Sequence, residues 1–539
     1  MHSHVGHGPG GHMGCDTQAE TEVEVIISGC GPVGALTANL LGLLGVRTLV
    51  VERDVAPHGE ARAFSCDDEA LRIYQAAGLL DVLREGMRQN QCVEYVDGAG
   101  SRFAEVHTGE VDFGFGHTPL WFFHQPVLEG ALRDGLKRFP CVELRTGVGV
   151  AGLAQDARGV TVRCREYATG TEGQVRARYL LACDGARSGV RKALDIAMKG
   201  RAYGEPWLAV SGTVEGGVPE ICRFVCDPKR PAFVALGGAN QLRWEFMLLP
   251  GETREQLEHP DMIAKLIAPY VDPARVKLNR AQVYTFHSLN AERWRQGHVF
   301  LVGDAAHTMP PFMGQGLVSG LRDAHNLAWK LQRVLHGGAP DALLDTYEQE
   351  RRPHVEALQQ LCIRVGHLFL ARNPMLAAAR DVMLRGLQRI PRVRRFIQGF
   401  EFKQPPAHAG GYYLDGGRSG AAGTYFPQPP VRLASGEEVL LDDALGQDFS
   451  VLCREGAGEA AGELARSLGG RRVTVLPAHA AARDEAVVDV SGKLEAWFSR
   501  HTADVVVLRP DRFVFGAVKA EHLAALREAL GVQAAQGFN

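Results

Sequence analysis

The sequence predicts an α/β fold: a parallel sheet carrying nucleotide-type loops, interleaved with a second sheet and followed by a smaller α/β unit. Three segments predict it. A Gly-rich loop joins an apolar strand to an apolar helix at residues 23–45, another strand ends in Asp184-Gly185, and a third ends in Gly303-Asp304 before a long periodic helix. In open α/β sheets ligands bind beyond the carboxyl ends of the strands, where all three segments place their Gly and Asp residues.

The first segment reads as a buried strand over 23–28, the loop Gly29-Cys30-Gly31-Pro32-Val33-Gly34, a helix-like run over 35–45 and a strand over 48–51 ending at Glu52. Gly29 permits the tight turn, Gly31 lets the backbone approach a pyrophosphate, and Gly34 allows close helix packing. Glu52 is placed for ribose hydroxyls. It lies 18 residues beyond Gly34, near the spacing of about 20 for such units. Taken alone, this loop says dinucleotide and leaves NAD and FAD equally open. Glu52 in place of an Arg argues against a phosphorylated ribose.

The second segment places Arg187 and Arg191 after Asp184-Gly185. Either these arginines meet phosphates, or they form an ordinary solvated first turn capped by Ser188. The third segment runs from Val299-Phe300-Leu301-Val302-Gly303-Asp304 through Pro310-Pro311 to Gly314-Gln315-Gly316, and a helix follows over 317–335. A carboxylate at Asp304 suits the hydroxyls of a ribityl chain, and an open helix end suits the anionic pyrimidine edge of a reduced flavin. Together they fit FAD better than a nicotinamide. The alternative is a plain strand-turn-helix.

Stretches near 89–119 and 196–282 alternate like strands, as at 232–236 and 243–249, and interrupt the nucleotide motifs as an interleaved sheet. Pro405-Pro406 and a Gly-rich run over 410–423 mark a linker over 401–424. From 425 to 539 a small α/β unit is expected. Its Gly456 to Gly462 stretch is read as a helix start, because the spacing is one residue too long for a nucleotide loop and the next strand ends at Pro477 without an acid. Residues 1–21, with His2, His4, His7 and His12 among glycines, read as a flexible tail.

The chain has 539 residues, 45% hydrophobic, so it can bury a large core, and its length suggests about three domains or subdomains. A net charge of −3 argues against nucleic acid as a partner. No run approaches the ~20 apolar residues of a membrane span, so no membrane partner is expected. Eleven cysteines without a paired framework favour reduced thiols and a cytoplasmic location. Cys222 and Cys226 lack a second ligand pair, so no metal is expected.

Together these motifs resemble the class A flavoprotein aromatic hydroxylases. The resemblance extends to Arg62-Ala63, Gln125-Pro126, Leu128-Glu129, the stretches 243–252, 283–287 and 319–324, and the tail stretch 428–437, so it covers roughly residues 22 to 515. It implies a Rossmann-like FAD-binding domain of the p-hydroxybenzoate hydroxylase type over 22–400, an interleaved β-sheet substrate domain and a C-terminal thioredoxin-like domain. It further implies an FAD-dependent monooxygenase that consumes NADH or NADPH and O2. Through a flavin C4a-hydroperoxide, such an enzyme would ortho-hydroxylate 3-(3-hydroxyphenyl)propanoate or a related phenolic acid to a catechol. A different or polycyclic aromatic substrate, and a non-catalytic flavin-holding interaction protein, are the competing readings.

By the same resemblance Gly29, Cys30, Gly31, Pro32, Val33, Gly34 and Glu52 would hold the ADP half of FAD, with Arg53 beside the adenosine and Arg62 a mobile pyrophosphate contact. Gln125, Asp184, Asp304 and Ala305 would contact the cofactor, and Gly314, Gln315, Gly316 and Leu317 would wrap the flavin ring. Pro311 would present its carbonyl to the reacting oxygen. Val318 stands where the family commonly has Asn, which puts in doubt the tuning of the flavin but not its binding. His287, Tyr284 and His307 are candidate phenol-activating bases, each equally readable as a hydrogen-bonded core residue, with His307 favoured as a brace for the Gly-Asp turn. Arg201 and Arg243 are candidates for a substrate carboxylate. The last domain has only Cys453 and so cannot exchange dithiols; a structural or dimer-interface role is expected for it, with a homodimer among the partners.

Overall fold

The computed structural model describes residues 21–57, 63–202, 206–216, 220–237, 241–403, 405–414 and 420–535. The N-terminal tail and Arg62 lie outside the described residues. The fold is mixed α/β with several sheets.

The central sheet has eight strands. Its spine runs Val299–Leu301, Glu172–Ala182, Thr21–Ser28, Thr48–Glu52 and Val142–Thr146, each parallel to its neighbour. The central strands read as near-continuous apolar runs at 25–27, 48–51, 179–182 and 299–301 because both faces are covered there, as parallel sheets require, while Val142–Thr146 at the margin is polar and half-buried. Val25 to Ile27, Leu49, Val50 and Tyr179 to Ala182 are all fully buried in the main core. The register aligns Ile27 with Leu181 and Leu181 with Phe300, so Gly29, Asp184 and Gly303-Asp304 emerge side by side from one edge of the sheet.

A seven-stranded sheet is assembled from two separated parts of the chain: Val93–Val96 and Arg102–Val106 from the first, and five strands between Trp207 and Tyr284 from the second. Alternation along its strands sorts the side chains. Leu208, Val210, Trp244, Phe246 and Val283 pack together with Ile263 and Ile267 of the helix Pro260–Ile267. The other face carries Trp207, Ala209, Ser211, Arg243 and Glu245 and looks toward the central sheet: Trp207 meets Phe312 with ring centroids 6.2 Å apart.

A third sheet of seven strands builds the C-terminal unit. Ser450–Arg454, the helix Gly458–Ser467 and the parallel strand Arg471–Leu476 form a βαβ unit; the antiparallel pair Val505–Leu508 and Val514–Val518 and a final helix follow. The run Gly456 to Gly462 does enter a helix. Cys453 is fully buried.

The described part of 401–424 differs from a solvent tether. Lys403 is buried and bonds Asp68 Oδ1 at 2.5 Å, the Tyr412 amide donates to Glu350 Oε1, and His408 Nδ1 lies 2.8 Å from the Glu350 carbonyl. The Pro and Gly punctuation is genuine, but buried partners elsewhere in the chain pin this stretch down.

Candidate active site

The loop after Thr21–Ser28 is shaped by its glycines. Gly29 has φ +98°, and a Cβ there would lie 2.6 Å from the Cys183 carbonyl oxygen. A Cβ on Gly34 would lie 2.0 Å from the Gly29 carbonyl oxygen, whereas one on Gly31 would meet nothing within 4 Å. Two of these positions are closed by the protein's own backbone, and the middle one faces open space. The helix Pro32–Leu43 that follows has Gly31 as N-cap, no side-chain cap and no acid in its first turn. Pro32 starts this helix, half-buried Val33 packs against the main core, and Cys30 is fully buried with its thiol pushed up to about 12 by desolvation. Cys30 is therefore a small filler and not a nucleophile.

Glu52 turns back onto this loop. Its Oε2 accepts the Cys30 amide at 2.6 Å and its Oε1 the Asp54 amide at 2.9 Å. Arg53 points outward, 3.6 Å from Asp54. Gln125 accepts the Ala63 amide at 2.7 Å and donates to Glu129 at 2.6 Å, tying the helix Gln125–Gly135 to the segment after Arg62. One turn further on, Arg133 donates to the Cys30 carbonyl, stands 3.9 Å from Glu52, and leaves its Nη1 buried with no hydrogen-bond partner among the described residues. Arg133 escaped the sequence reading. The signal was present: Gln125, Glu129 and Arg133 recur every four residues along one helix face.

Asp184 uses Oδ2 to accept the Gly189 and Val190 amides, and its buried Oδ1 has no partner among the described residues. Ser188 caps the short helix Gly189–Ala193, and Arg191 spends its guanidinium on the Ala305 and Ala186 carbonyls. Ser188 caps the turn, but Arg191 is buried rather than solvated there.

Beyond Val299–Leu301 the chain makes a tight turn through Gly303, Asp304 and fully buried Ala305, then a second turn, Pro311–Met313, and enters the helix Gln315–Leu335. That helix also begins without a side-chain cap or a first-turn acid. Gly314 takes φ +65° to enter it, and a Cβ on Gly316 would meet nothing within 4 Å. Leu317 is half-buried against the main core, while Val318 is fully enclosed in it. Gln315 directs its side chain inward, bonding Asp67 and Arg322, so only its backbone is left for a ligand. His307 lies against Asp323, away from the open side of the turn.

Beneath this turn sits a buried ionic group in which Arg322 holds Asp67 and Glu69, and Lys403 holds Asp67 and Asp68. Burial alone would raise Asp67, but Lys403 and Arg322 outweigh it and hold the acid at about 2. Asp68, equally buried and flanked by two acids, is pushed up to about 6 despite Lys403. These carboxylates could group around a metal, but the two cations already fill that role.

Opposite the Pro311 turn stands the inward face of the seven-stranded sheet. Register aligns Arg280, Ser211, Arg243 and Ala235 across four strands, and Gln282, Ala209, Glu245 and Phe233 in the next row. Arg243 is buried, donates to Ser211 Oγ and to Glu245 Oε1 at 3.0 Å each, and so is a held cation on this face. Tyr284 hydrogen-bonds Gln282 at 3.1 Å. Phe286 approaches Phe312 with centroids 6.5 Å apart, while His287, on the strand that pairs with Met198–Ala202, is exposed. Arg201 is exposed on a separate strand.

The residues present fit FAD. Two uncapped helix ends stabilise negative charge, the cradle at Gly31 and Gly316 is open, and orphaned polar atoms on Arg133 and Asp184 await partners, since buried polar groups are rarely left unpaired. Such a sheet edge, facing an aromatic-lined wall, is that of a flavin-dependent oxidoreductase. Known proteins narrow the class. Residues 22–361 match a family described as FAD binding domain, and residues 423–533 one described as HcaD C-terminal domain. A 3-(3-hydroxy-phenyl)propionate/3-hydroxycinnamic acid hydroxylase of Burkholderia vietnamiensis is 38% identical over 97% of this chain and 98% of its own. One from Klebsiella pneumoniae is 36% identical over 94% of both chains. The flavin-dependent monooxygenase PieE superposes with a TM-score of 0.80 at 22% identity, covering 95% of this chain and 99% of its own. Aklavinone-11 hydroxylase does so with a TM-score of 0.76 at 24% identity, covering 96% and 100%. The chain belongs to the FAD-binding-domain family of flavin-dependent aromatic hydroxylases, and it is a monooxygenase that uses FAD with NAD(P)H and O2.

Proposed function

We propose that this enzyme hydroxylates 3-(3-hydroxyphenyl)propanoate, or a close 3-hydroxyphenyl acid, ortho to its hydroxyl group to give a catechol. One atom of O2 enters the ring, the other leaves as water, and NADH or NADPH supplies the electrons. The observation that carries this reading is near full-length identity of 38% with relatives named for that substrate. The sheet facing the Pro311 turn supports it, because it carries a buried arginine, Arg243, which Ser211 and Glu245 hold on the substrate side.

FAD, when bound, supplies the activated oxygen. The chain's own residues do the rest. The open amide end at Gly31, Val33 and Gly34, where the helix Pro32–Leu43 begins, would receive the pyrophosphate, with Arg133 adding a positive charge beside it and Asp304 taking the ribityl hydroxyls. The open amide end at Gly314, Gly316 and Leu317 stabilises negative charge on the ring. Trp207, Phe286 and Phe312 form an apolar wall that excludes water from the reacting ring. His287, exposed at the start of its strand, is the candidate proton acceptor for the phenol, and the Pro311 carbonyl would border the reacting position.

Residues 22–400 then form the flavin domain, with the interleaved sheet as substrate domain. The βαβ unit followed by an antiparallel pair and a helix supports a thioredoxin-like reading of the last domain. All ten cysteines among the described residues are unpaired, in keeping with a reducing cytoplasm.

The test is direct. Purified enzyme containing FAD is assayed with a panel of phenolic acids for stimulated NADH and NADPH oxidation and for hydroxylated product. Catechol formation from 3-(3-hydroxyphenyl)propanoate is expected; stimulation without product, or no response to this acid when another is turned over, overturns the assignment.

A further inference from the structure

The helix Pro374–Leu387 is inside out. It buries Ala377, Arg380, Asp381 and Leu384, with Arg380 spent on Asp381 and on the Cys226 carbonyl. Toward solvent it presents Met375, Leu376, Val382 and Met383, of which Met375 is 82% and Val382 69% exposed. Ala379 and Gly386 lie exposed on the same side, and the half-exposed charge at its flank, Arg385, is paired with Asp97. A soluble surface helix shows the opposite arrangement.

The next helix, Pro391–Gln398, supplies the charge. Arg392, Arg394 and Arg395 are exposed there beside exposed Phe396, and exposed Arg372 and Arg389 bracket the preceding helix. Between residues 370 and 399 the chain has seven arginines and one acid; Arg380 is spent on that acid, Asp381, and Arg385 on Asp97, which leaves five toward solvent. Of the thirteen large apolar side chains exposed among the described residues, six lie between Met375 and Phe396. This concentration distinguishes the patch from the scattered apolar residues of any surface.

We infer that this helical hairpin docks the enzyme on an anionic lipid bilayer. Apolar side chains ringed by arginines match a membrane interface, where acyl chains receive the first and anionic headgroups the second. A second copy of the chain fits less well, because a face-to-face pair would bring two arginine rims together. No helix among the described residues is long and apolar enough to cross a membrane, so the contact lies on the surface. The absence of a span, which led the sequence reading to expect no membrane partner, does not bear on an association of this kind. Leu384 and Leu387 of the hairpin pack with Tyr95, Phe224 and Phe233 at the far end of the inward sheet face. Docking therefore brings the substrate side of the molecule toward the lipid surface.

The test uses FAD-loaded full-length enzyme in flotation with phosphatidylcholine vesicles and with vesicles that also contain phosphatidylglycerol. Flotation with the anionic vesicles alone is expected, weakening as salt is added. The combined Arg392→Gln, Arg394→Gln and Arg395→Gln variant should partition about a hundredfold less. Met375→Ser with Val382→Ser should also lose flotation, while flavin absorbance and turnover in solution stay at the parent level, reporting an intact fold. Enzyme that stays in solution with both vesicles, or a charge variant that floats like the parent, overturns the proposal. So does sedimentation showing a dimer that the serine pair dissociates.

Discussion

His307 Nε2 donates to Asp323 Oδ2 across 2.6 Å with both side chains buried, and the same oxygen accepts the Gly303 amide at 3.2 Å. Arg351 Nε donates to the other oxygen at 2.9 Å. One carboxylate on the long helix thus fixes both ends of the turn that presents Asp304. Asp323→Ala leaves the Arg351 guanidinium buried without its counter-charge and should cost about 3–5 kcal/mol of stability. Chemical denaturation measures the loss; a fall in unfolding free energy below about 1 kcal/mol would contradict the bracing role.

The fingerprint glycines should separate by phenotype. Gly34→Ala drives a Cβ to 2.0 Å from the Gly29 carbonyl oxygen, so poorly folded or insoluble protein is expected. Gly31→Ala meets no protein atom and should fold with normal thermal stability as the apoprotein, yet retain far less FAD on gel filtration. Equal FAD retention by Gly31→Ala and the parent would show that the pyrophosphate lies elsewhere.

Arg243→Ala removes the cation that Ser211 and Glu245 hold on the inward sheet face. A hydrogen bond to a charged group contributes about 1.5–3 kcal/mol, so KM for 3-(3-hydroxyphenyl)propanoate should rise about ten- to a hundredfold. The alcohol analogue, which lacks the carboxylate, should show little change between parent and variant. If both compounds suffer alike, Arg243 supports the sheet and does not read the acid.

Buried histidines should make the enzyme labile to mild acid. Burial holds His325 and His117 down at about 4 and His408 at about 3, against about 6.5 in an unfolded chain. Below pH 6.5 the unfolded chain takes up protons that the folded one refuses, so stability falls as pH drops from about 6.5 toward 4. Denaturation midpoints measured across that window should decline, with a shallower slope in His325→Gln. An unchanged slope in that variant would remove His325 from the account.

What was legible in the sequence is what short-range pattern encodes. The strand and helix around Gly29 to Gly34, the turn at Gly303-Asp304 and the helix after Gly314 each follow from residues within one turn or strand of one another. Cys30 as a filler and Ser188 as a cap were equally local. Partners chosen by tertiary packing were not legible. Lys403 meets Asp68 from 335 positions away, and Pro and Gly around it read only as a break in regular structure. The inward turn of Gln315 depends on Arg322 and Asp67, and no motif holds all three. Arg133 lies between these cases: its helix face was readable, but its target at Cys30 was not.

The last domain meets the rest of the chain through charges that lie wholly inside. Arg509 pairs with both Glu350 and Asp511, and Glu350 pairs with Lys330, all with side chains at most 1% exposed. Arg72 and Asp442 make a second such joint. Cys453 has no thiol partner among the described residues to give this unit redox work, yet the unit shares its buried charges with the rest of the chain. A gene truncated near residue 424 would bury Glu350 and Lys330 without Arg509 and open the remaining chain to water at its centre. The C-terminal unit is therefore a keystone for the two long helices that carry Lys330 and Glu350, Gln315–Leu335 and Thr346–Phe369. Any working hybrid between this enzyme and a relative must exchange all three together.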